Sequence, residues 1–88
     1  MNYRVFWYPE AQHLLDALLE GSELRESISL AAQAIDRQLA SDPFAFGESR
    51  SERMRIGFER PLAVQFEVLR DVRTVIVYNV RLVSPRSR

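Results

Sequence analysis

The feature that most constrains the fold is a change in hydrophobic period near residue 53 of this 88-residue chain. Before that point, apolar residues recur every three or four positions, which is the period of one face of an α-helix. After it, apolar and polar residues alternate, which is the period of a β-strand. Amphipathic helices and a half-polar sheet must bury their apolar faces against each other, so the pattern predicts an α+β domain.

The first half begins with a strand and two helices. Residues 3–8 are almost continuously apolar, which indicates a strand inside a sheet rather than at its edge. Pro9 ends that strand and begins a helix, and Gly21 is placed to end it. Ser22 is placed to cap a second helix, which ends before Pro43. The two helices are therefore predicted to form an antiparallel hairpin.

Residues 42–52 read as a loop because they are rich in proline, glycine and serine. Three antiparallel strands follow, near residues 53–58, 62–68 and 72–82. The predicted order is β-α-α-β-β-β, with the helical hairpin on one face of a small, mainly antiparallel sheet. We expect a single domain over residues 1–83 and a disordered tail over 84–88.

Several classes of function are disfavoured by composition. The chain has no cysteine, which excludes disulfides and thiolate metal sites. It has no signal peptide and no apolar run long enough to span a bilayer, so a soluble cytoplasmic protein is expected. His13 is the only histidine and is expected to be an exposed helix residue. The sequence therefore predicts no metal and no cofactor.

The basic charge is carried entirely by arginine and lies mainly in the second half. The formal net charge is zero, but residues 1–48 carry three arginines and eight acids, whereas residues 49–88 carry nine arginines and four acids. This asymmetry favours either a charged partner or an attraction between the two halves of the fold.

Strand alternation assigns each side chain in the sheet to a face. The side chains predicted to face the helices are Met54, Ile56, Phe58, Leu62, Val64, Phe66, Val68 and Tyr78. Those predicted to face outward are Arg53, Arg55, Glu59, Gln65, Glu67, Arg73, Val75, Val77, Asn79 and Arg81. Such an arginine-bearing face suits single-stranded RNA, because guanidinium groups bind phosphate and stack on bases. A protein partner or a plain solvated surface remains an alternative.

The order of elements and three segments resemble the RelE/ParE superfamily of small toxins from type II toxin–antitoxin systems, which includes plasmid-stabilisation proteins. The segments are residues 3–11 (YRVFWYPEA), residues 39–43 (LASDP) and residues 64–77 (VQFEVLRDVRTVIV). The resemblance implies a RelE/ParE-like fold and neutralisation by an antitoxin or another small protein. It also implies either cleavage of messenger RNA on the ribosome or, in the ParE branch, inhibition of gyrase.

The resemblance also implies which residues would act. The candidate catalytic residues are Arg53, Arg55, Glu67 and Arg81, and the candidate RNA- or partner-binding residues are Arg53, Arg55, Arg60, Arg73 and Arg81. The chain departs from the family at Ala63, where an arginine is common, and at residues 80–85, where a histidine or tyrosine is common. Glu59 or Glu67 would then have to serve as the proton acceptor, and a non-catalytic binding protein is the alternative.

Overall fold

The computed structural model describes residues 2–21, 23–51 and 53–83. The predicted cap Ser22 and the predicted tail 84–88 lie outside these residues. The elements are β1 (Arg4–Trp7), α1 (Pro9–Gly21), α2 (Arg25–Ser41), α3 (Pro43–Phe46), β2 (Gly47–Ser49), β3 (Met54–Glu59), β4 (Leu62–Leu69) and β5 (Thr74–Leu82). A single turn of 3-10 helix, Arg70–Val72, joins β4 to β5. Among the described helices, none is long and apolar enough to cross a membrane.

The five strands form one sheet in the order β1-β5-β4-β3-β2. β1 runs parallel to β5, and the other neighbouring pairs are antiparallel. The α+β class and the mainly antiparallel sheet are thus confirmed. The interior position predicted for the first strand is wrong, because β1 lies at an edge. Its Val5 and Trp7 pack against the core, whereas Phe6 and Tyr8 are exposed.

The hydrophobic core lies between the helical hairpin and one face of the sheet. Its helix residues are Ala11, Leu15, Ile28, Ala31, Ile35 and Leu39, and its strand residues are Leu62, Val64, Phe66, Val75, Val77 and Val80. The helix residues recur at the predicted spacing of three and four, so the helical stripes are confirmed. Trp7 also donates a 2.8 Å hydrogen bond from Nε1 to Asp36 Oδ1, which ties β1 to α2.

The predicted loop 42–52 contains a short helix and a short strand. The Asp42 side chain accepts a 3.3 Å hydrogen bond from the backbone N–H of Ala45, and Pro43 occupies the first turn, so both residues favour the start of a helix here. The following β2 forms the outer edge of the sheet against β3. The Phe46 ring packs on the core, but Phe44 is partly exposed.

The predicted facing of β3 is wrong. Gly57 pairs with Val64 and Arg55 pairs with Phe66, so these β3 residues share the face of the core side chains of β4. The apolar side chains of this strand therefore point away from the helices, and Phe58 is exposed. The physical reason is α3: the ring of Phe46 lies where a Gly57 Cβ would be, 2.2 Å from its nearest ring atom. Only a residue without a side chain fits there.

The predicted facing of β5 is wrong for residues 74–78 and correct for residues 79–81. Val75 and Val77 are buried in the core, and Val80 is buried too, although it has the opposite parity. Val77 pairs with Phe66 while Asn79 pairs with Gln65, so Tyr78 is an extra residue at a β-bulge. The bulge lets apolar side chains before and after it reach the same core and turns Tyr78 to the opposite face.

Candidate functional site on the open sheet face

The open face is the sheet face opposite the core. It carries Arg4, Phe6, Met54, Ile56, Phe58, Ala63, Gln65, Glu67, Ile76, Tyr78, Asn79 and Arg81. It is more apolar than predicted, because the β3 side chains on it are Met54, Ile56 and Phe58. The exposed rings of Phe6 and Tyr8 lie along its β1 side. Aromatic rings beside a few arginines are the composition that stacking platforms for single-stranded nucleic acid use.

A buried carboxylate lies on the central strand β4, near the end of this face where β3 begins. Glu67 is only 8% exposed. Its Oε1 accepts a 2.9 Å hydrogen bond from the Tyr78 hydroxyl, and its Oε2 lies 3.5 Å from Arg53 Nη1. Burying a carboxylate is costly unless partners hold it, and here two partners do. We call Arg53, Glu67 and Tyr78 the Glu67 cluster.

The two partners hold Glu67 in different ways. The hydrogen bond to Glu67 is the main cause that raises the pKa of Tyr78 above its ordinary value of 10.0, and burial adds to it. The positive charge of Arg53 acts in the opposite direction. Tyr78 therefore keeps its proton at neutral pH and acts as a fixed donor. The side chain of Arg53 is 76% exposed, so its guanidinium can reach Glu67 and a bound anion together. Tyr8 packs beside Tyr78, with 5.5 Å between ring centroids.

The structure brings together two of the four candidate catalytic residues. Arg53 and Glu67 form the ion pair of the Glu67 cluster. Arg81 is exposed on the same face but pairs with Ala63. That position is four residues from Glu67 along β4, or about 13 Å at the usual rise per strand residue. Arg81 can therefore contact another part of a long ligand, but not the group that contacts Glu67.

Three predicted arginines lie elsewhere. Arg55 faces the core side, where its Nη2 donates to the carbonyls of Phe44 at 3.0 Å and Gly47 at 2.7 Å, so it secures α3 and β2. Arg60 borders a groove against α2. Arg73 lies at the end of the sheet, where its guanidinium carbon is 5.5 Å from the Tyr3 ring centroid.

Glu59 also lies on the core side. It accepts a 2.8 Å hydrogen bond from Gln38 Nε2 of α2. Of the two glutamates considered as proton acceptors, only Glu67 therefore lies on the open face.

Sequence reasoning missed Tyr78 as a site residue, because strict alternation placed it in the core. The only signal in the sequence was the spacing of three valines within one strand. Val75 and Val77 occupy odd positions and Val80 an even one, so they cannot share a face unless the strand contains a bulge. It also missed Arg4, which lies on the open face of β1 because Arg4 pairs with Thr74. Among the residues that the structure describes, no group of three His, Cys, Asp or Glu side chains could hold a metal ion. His13 is exposed on α1.

Comparison with solved structures identifies the fold. The chain is similar to the RelBE2 toxin–antitoxin complex from Mycobacterium tuberculosis, with a TM-score of 0.74 and 15% identity over 93% of this chain and 92% of that one. It is similar to the isolated RelE toxin of E. coli, with a TM-score of 0.62 and 18% identity over 98% and 88% of the two chains. It is also similar to the archaeal RelE–RelB complex from Pyrococcus horikoshii, with a TM-score of 0.65 and 12% identity over 98% and 100%.

The chain therefore has a RelE-like fold, as the resemblance in sequence implies. No protein-family model matches the sequence, and no curated protein matches it significantly. At these identities, the likeness describes the fold, and function must be argued from the site.

Proposed function

We propose that this protein is a RelE-like toxin-type protein that cleaves single-stranded RNA on its open face and is neutralised by a small antitoxin. The single observation that carries the cleavage proposal is Glu67. A carboxylate that is buried on a sheet face without helices, and held by a phenol and a guanidinium, destabilises the fold relative to an apolar residue. Groups that break the packing rules of a fold in this way are expected at functional sites.

The chemistry proposed is cleavage by the 2′-hydroxyl of the RNA itself. The 2′-oxygen attacks the adjacent phosphorus, the P–O2′ bond forms and the P–O5′ bond breaks, which leaves a 2′,3′-cyclic phosphate and a 5′-hydroxyl. Glu67 accepts the proton of the 2′-hydroxyl. Because Tyr78 already occupies Oε1, the acceptor is Oε2.

Arg53 supplies the positive charge that this reaction needs. Its guanidinium faces Oε2 of Glu67, so a phosphate that reaches the carboxylate also reaches Arg53. A cation there stabilises the additional negative charge of the pentacovalent phosphorus. The leaving 5′-oxygen takes its proton from solvent, and Glu67 returns its own proton to solvent.

The proposal of an antitoxin partner is supported by the complexes in which similar folds are found. Two of the three similar structures described above are toxin–antitoxin complexes. The exposed rings of Phe6, Tyr8 and Phe58 offer apolar surface for such a partner. Co-purification with the product of a neighbouring short reading frame tests this part, and a protein that remains alone when the two are co-expressed would count against it.

The cleavage proposal is tested with a labelled single-stranded RNA, both free and on translating ribosomes. We expect Glu67→Gln to lower the rate of cleavage by about 100-fold or more, the usual effect of losing a general base. The matched control is Glu26→Gln, which makes the same change on an exposed residue of α2. The product should carry a 2′,3′-cyclic phosphate.

Two results would reject the cleavage proposal. One is RNA that stays intact with the wild-type protein in both settings, which would favour a non-catalytic binding protein. The other is cleavage by Glu67→Gln at the wild-type rate, which would place the reaction elsewhere.

A further inference from the structure

A groove extends from the Glu67 cluster around the end of the sheet where β3 begins and β4 ends. Its volume is about 570 Å³, and its lining includes Phe44, Ser49, Arg53, Arg55, Glu67 and Arg70. Because Arg53 and Glu67 line it, the groove is continuous with the proposed site of cleavage. We call it the Phe44 groove.

Two guanidinium groups lie against the ring that gives the groove its name. The guanidinium carbon of Arg70 is 4.6 Å from the Phe44 ring centroid, and that of Arg55 is 5.3 Å from it. Arg55 is fixed by its hydrogen bonds to the carbonyls of Phe44 and Gly47, so it holds the ring in place. Arg70 is exposed, and Phe44 is 37% exposed. The groove therefore presents a flat arginine–aromatic surface to solvent.

The charges of the groove favour an anion. Arg53, Arg55 and Arg70 line it, together with the carboxylates of Glu67 and Asp71. Glu67 is already engaged by Tyr78 and Arg53, which leaves the exposed guanidinium of Arg70 beside the ring. An anionic group next to a planar one matches this surface, because guanidinium binds phosphate and both Arg and Phe stack on bases.

We propose that the Phe44 groove binds the first nucleotide beyond the two that are joined by the bond cut at the Glu67 cluster. Its phosphate lies between Arg53 and Arg70, and its base stacks on the Arg70–Phe44 pair. This inference rests on the proposed function and adds to it a second nucleotide site. It predicts that RNA longer than a dinucleotide gains affinity from the groove.

The experiment measures RNA binding separately from cleavage. Glu67→Gln protein is titrated with a single-stranded RNA octamer and with a dinucleotide, which is too short to occupy both places. In this background, Phe44→Leu and Arg70→Gln should each weaken octamer binding about fivefold or more, as loss of a stacking contact does. Both should leave dinucleotide binding unchanged. Arg37→Gln, an exposed arginine of α2 that does not line the groove, is the matched control.

Salt dependence gives a readout that a loss of folding would not imitate. Removing one phosphate contact lowers the slope of log affinity against log salt by about 0.7 for a single strand. Arg70→Gln should show this decrease, whereas Phe44→Leu should weaken binding with the slope unchanged. Circular dichroism at the assay temperature confirms that each variant is folded.

The outcomes separate this inference from the cleavage proposal. If the wild type does not cleave RNA but Phe44→Leu and Arg70→Gln still weaken octamer binding, cleavage fails and the groove stands. If the wild type cleaves and neither variant changes octamer binding, the groove proposal is overturned. It is overturned equally if a polyglutamate peptide displaces the octamer at matched charge, since the groove would then serve an acidic protein partner.

Discussion

At the scale of single residues, the open face is organised by one carboxylate and the phenol that holds it. Tyr78 is the donor in a 2.9 Å hydrogen bond to Glu67, and its pKa is raised chiefly by that bond. A group whose pKa is raised by folding stabilises the protein below its unfolded pKa, and that contribution is lost as the pH rises toward the folded value. The contribution of this phenol to stability should thus be present at neutral pH and be lost at strongly alkaline pH.

We expect Tyr78→Phe to lower the free energy of unfolding by about 1.5–3 kcal/mol at pH 7, the range for a hydrogen bond to a charged group. Above pH 10, the wild type should lose stability as Tyr78 ionises, so the difference between wild type and variant should shrink. Denaturant unfolding at pH 7, 9 and 11 measures this. Tyr3→Phe, which removes a hydroxyl elsewhere, is the control, and a difference that grows with pH would contradict the argument.

At the scale of elements, the helices were predictable and two strand facings were not. The buried face of each helix carries several large apolar residues, so several positions independently predict the same face. In β3, the decisive residue is Gly57, whose role is to leave room for Phe46, and an absent side chain gives no hydrophobic signal. In β5, the bulge at Tyr78 reverses parity within the strand. Arg55 of β3 was misplaced for the same reason as the apolar residues of that strand.

Gly57 should therefore tolerate no side chain without a loss of stability. In Gly57→Ala, the new methyl would overlap the Phe46 ring, which in turn packs 5.9 Å from the Phe66 ring centroid. We expect a loss of about 1–3 kcal/mol in the free energy of unfolding, typical of overpacking. Thermal or denaturant unfolding measures it.

Gly21→Ala is the matched control for this prediction. Gly21 is the last residue of α1, and a methyl there would meet nothing within 4 Å. Alanine should be neutral or slightly stabilising at that position, because it loses less backbone entropy than glycine. Equal losses from the two substitutions would show that the Phe46 contact is not the cause.

At the scale of the whole molecule, the first and last strands are neighbours. β1 pairs with β5 along its full length, and its Trp7 also bonds to Asp36 of α2. β1, which the sequence pattern predicted to be an interior strand, thus connects the sheet to the helices. The α+β class and the packing of the hairpin could be predicted because they follow from periodicity. The edge position of β1 could not, because its exposed side chains Phe6 and Tyr8 are apolar and give the strand the pattern of an interior one.

This arrangement predicts that unfolding is cooperative. Trp7 is the only tryptophan, so its fluorescence reports on the joint between β1, β5 and α2. Melting curves followed by this fluorescence and by far-ultraviolet circular dichroism should coincide, as a two-state transition requires. A fluorescence transition several degrees below the other would show that β1 detaches first.

The position of β5 between β1 and β4 also bears on how the protein is made. A ribosome synthesises β5 after all the other described elements, yet β1 has no other strand partner in the sheet. The pairing of residues 4–7 with residues 74–77 spans nearly the whole described chain, and contacts of such separation form slowly. A nascent chain that stops short of Tyr78 also lacks the donor that holds Glu67. The Glu67 cluster can therefore form only after β5 has been synthesised.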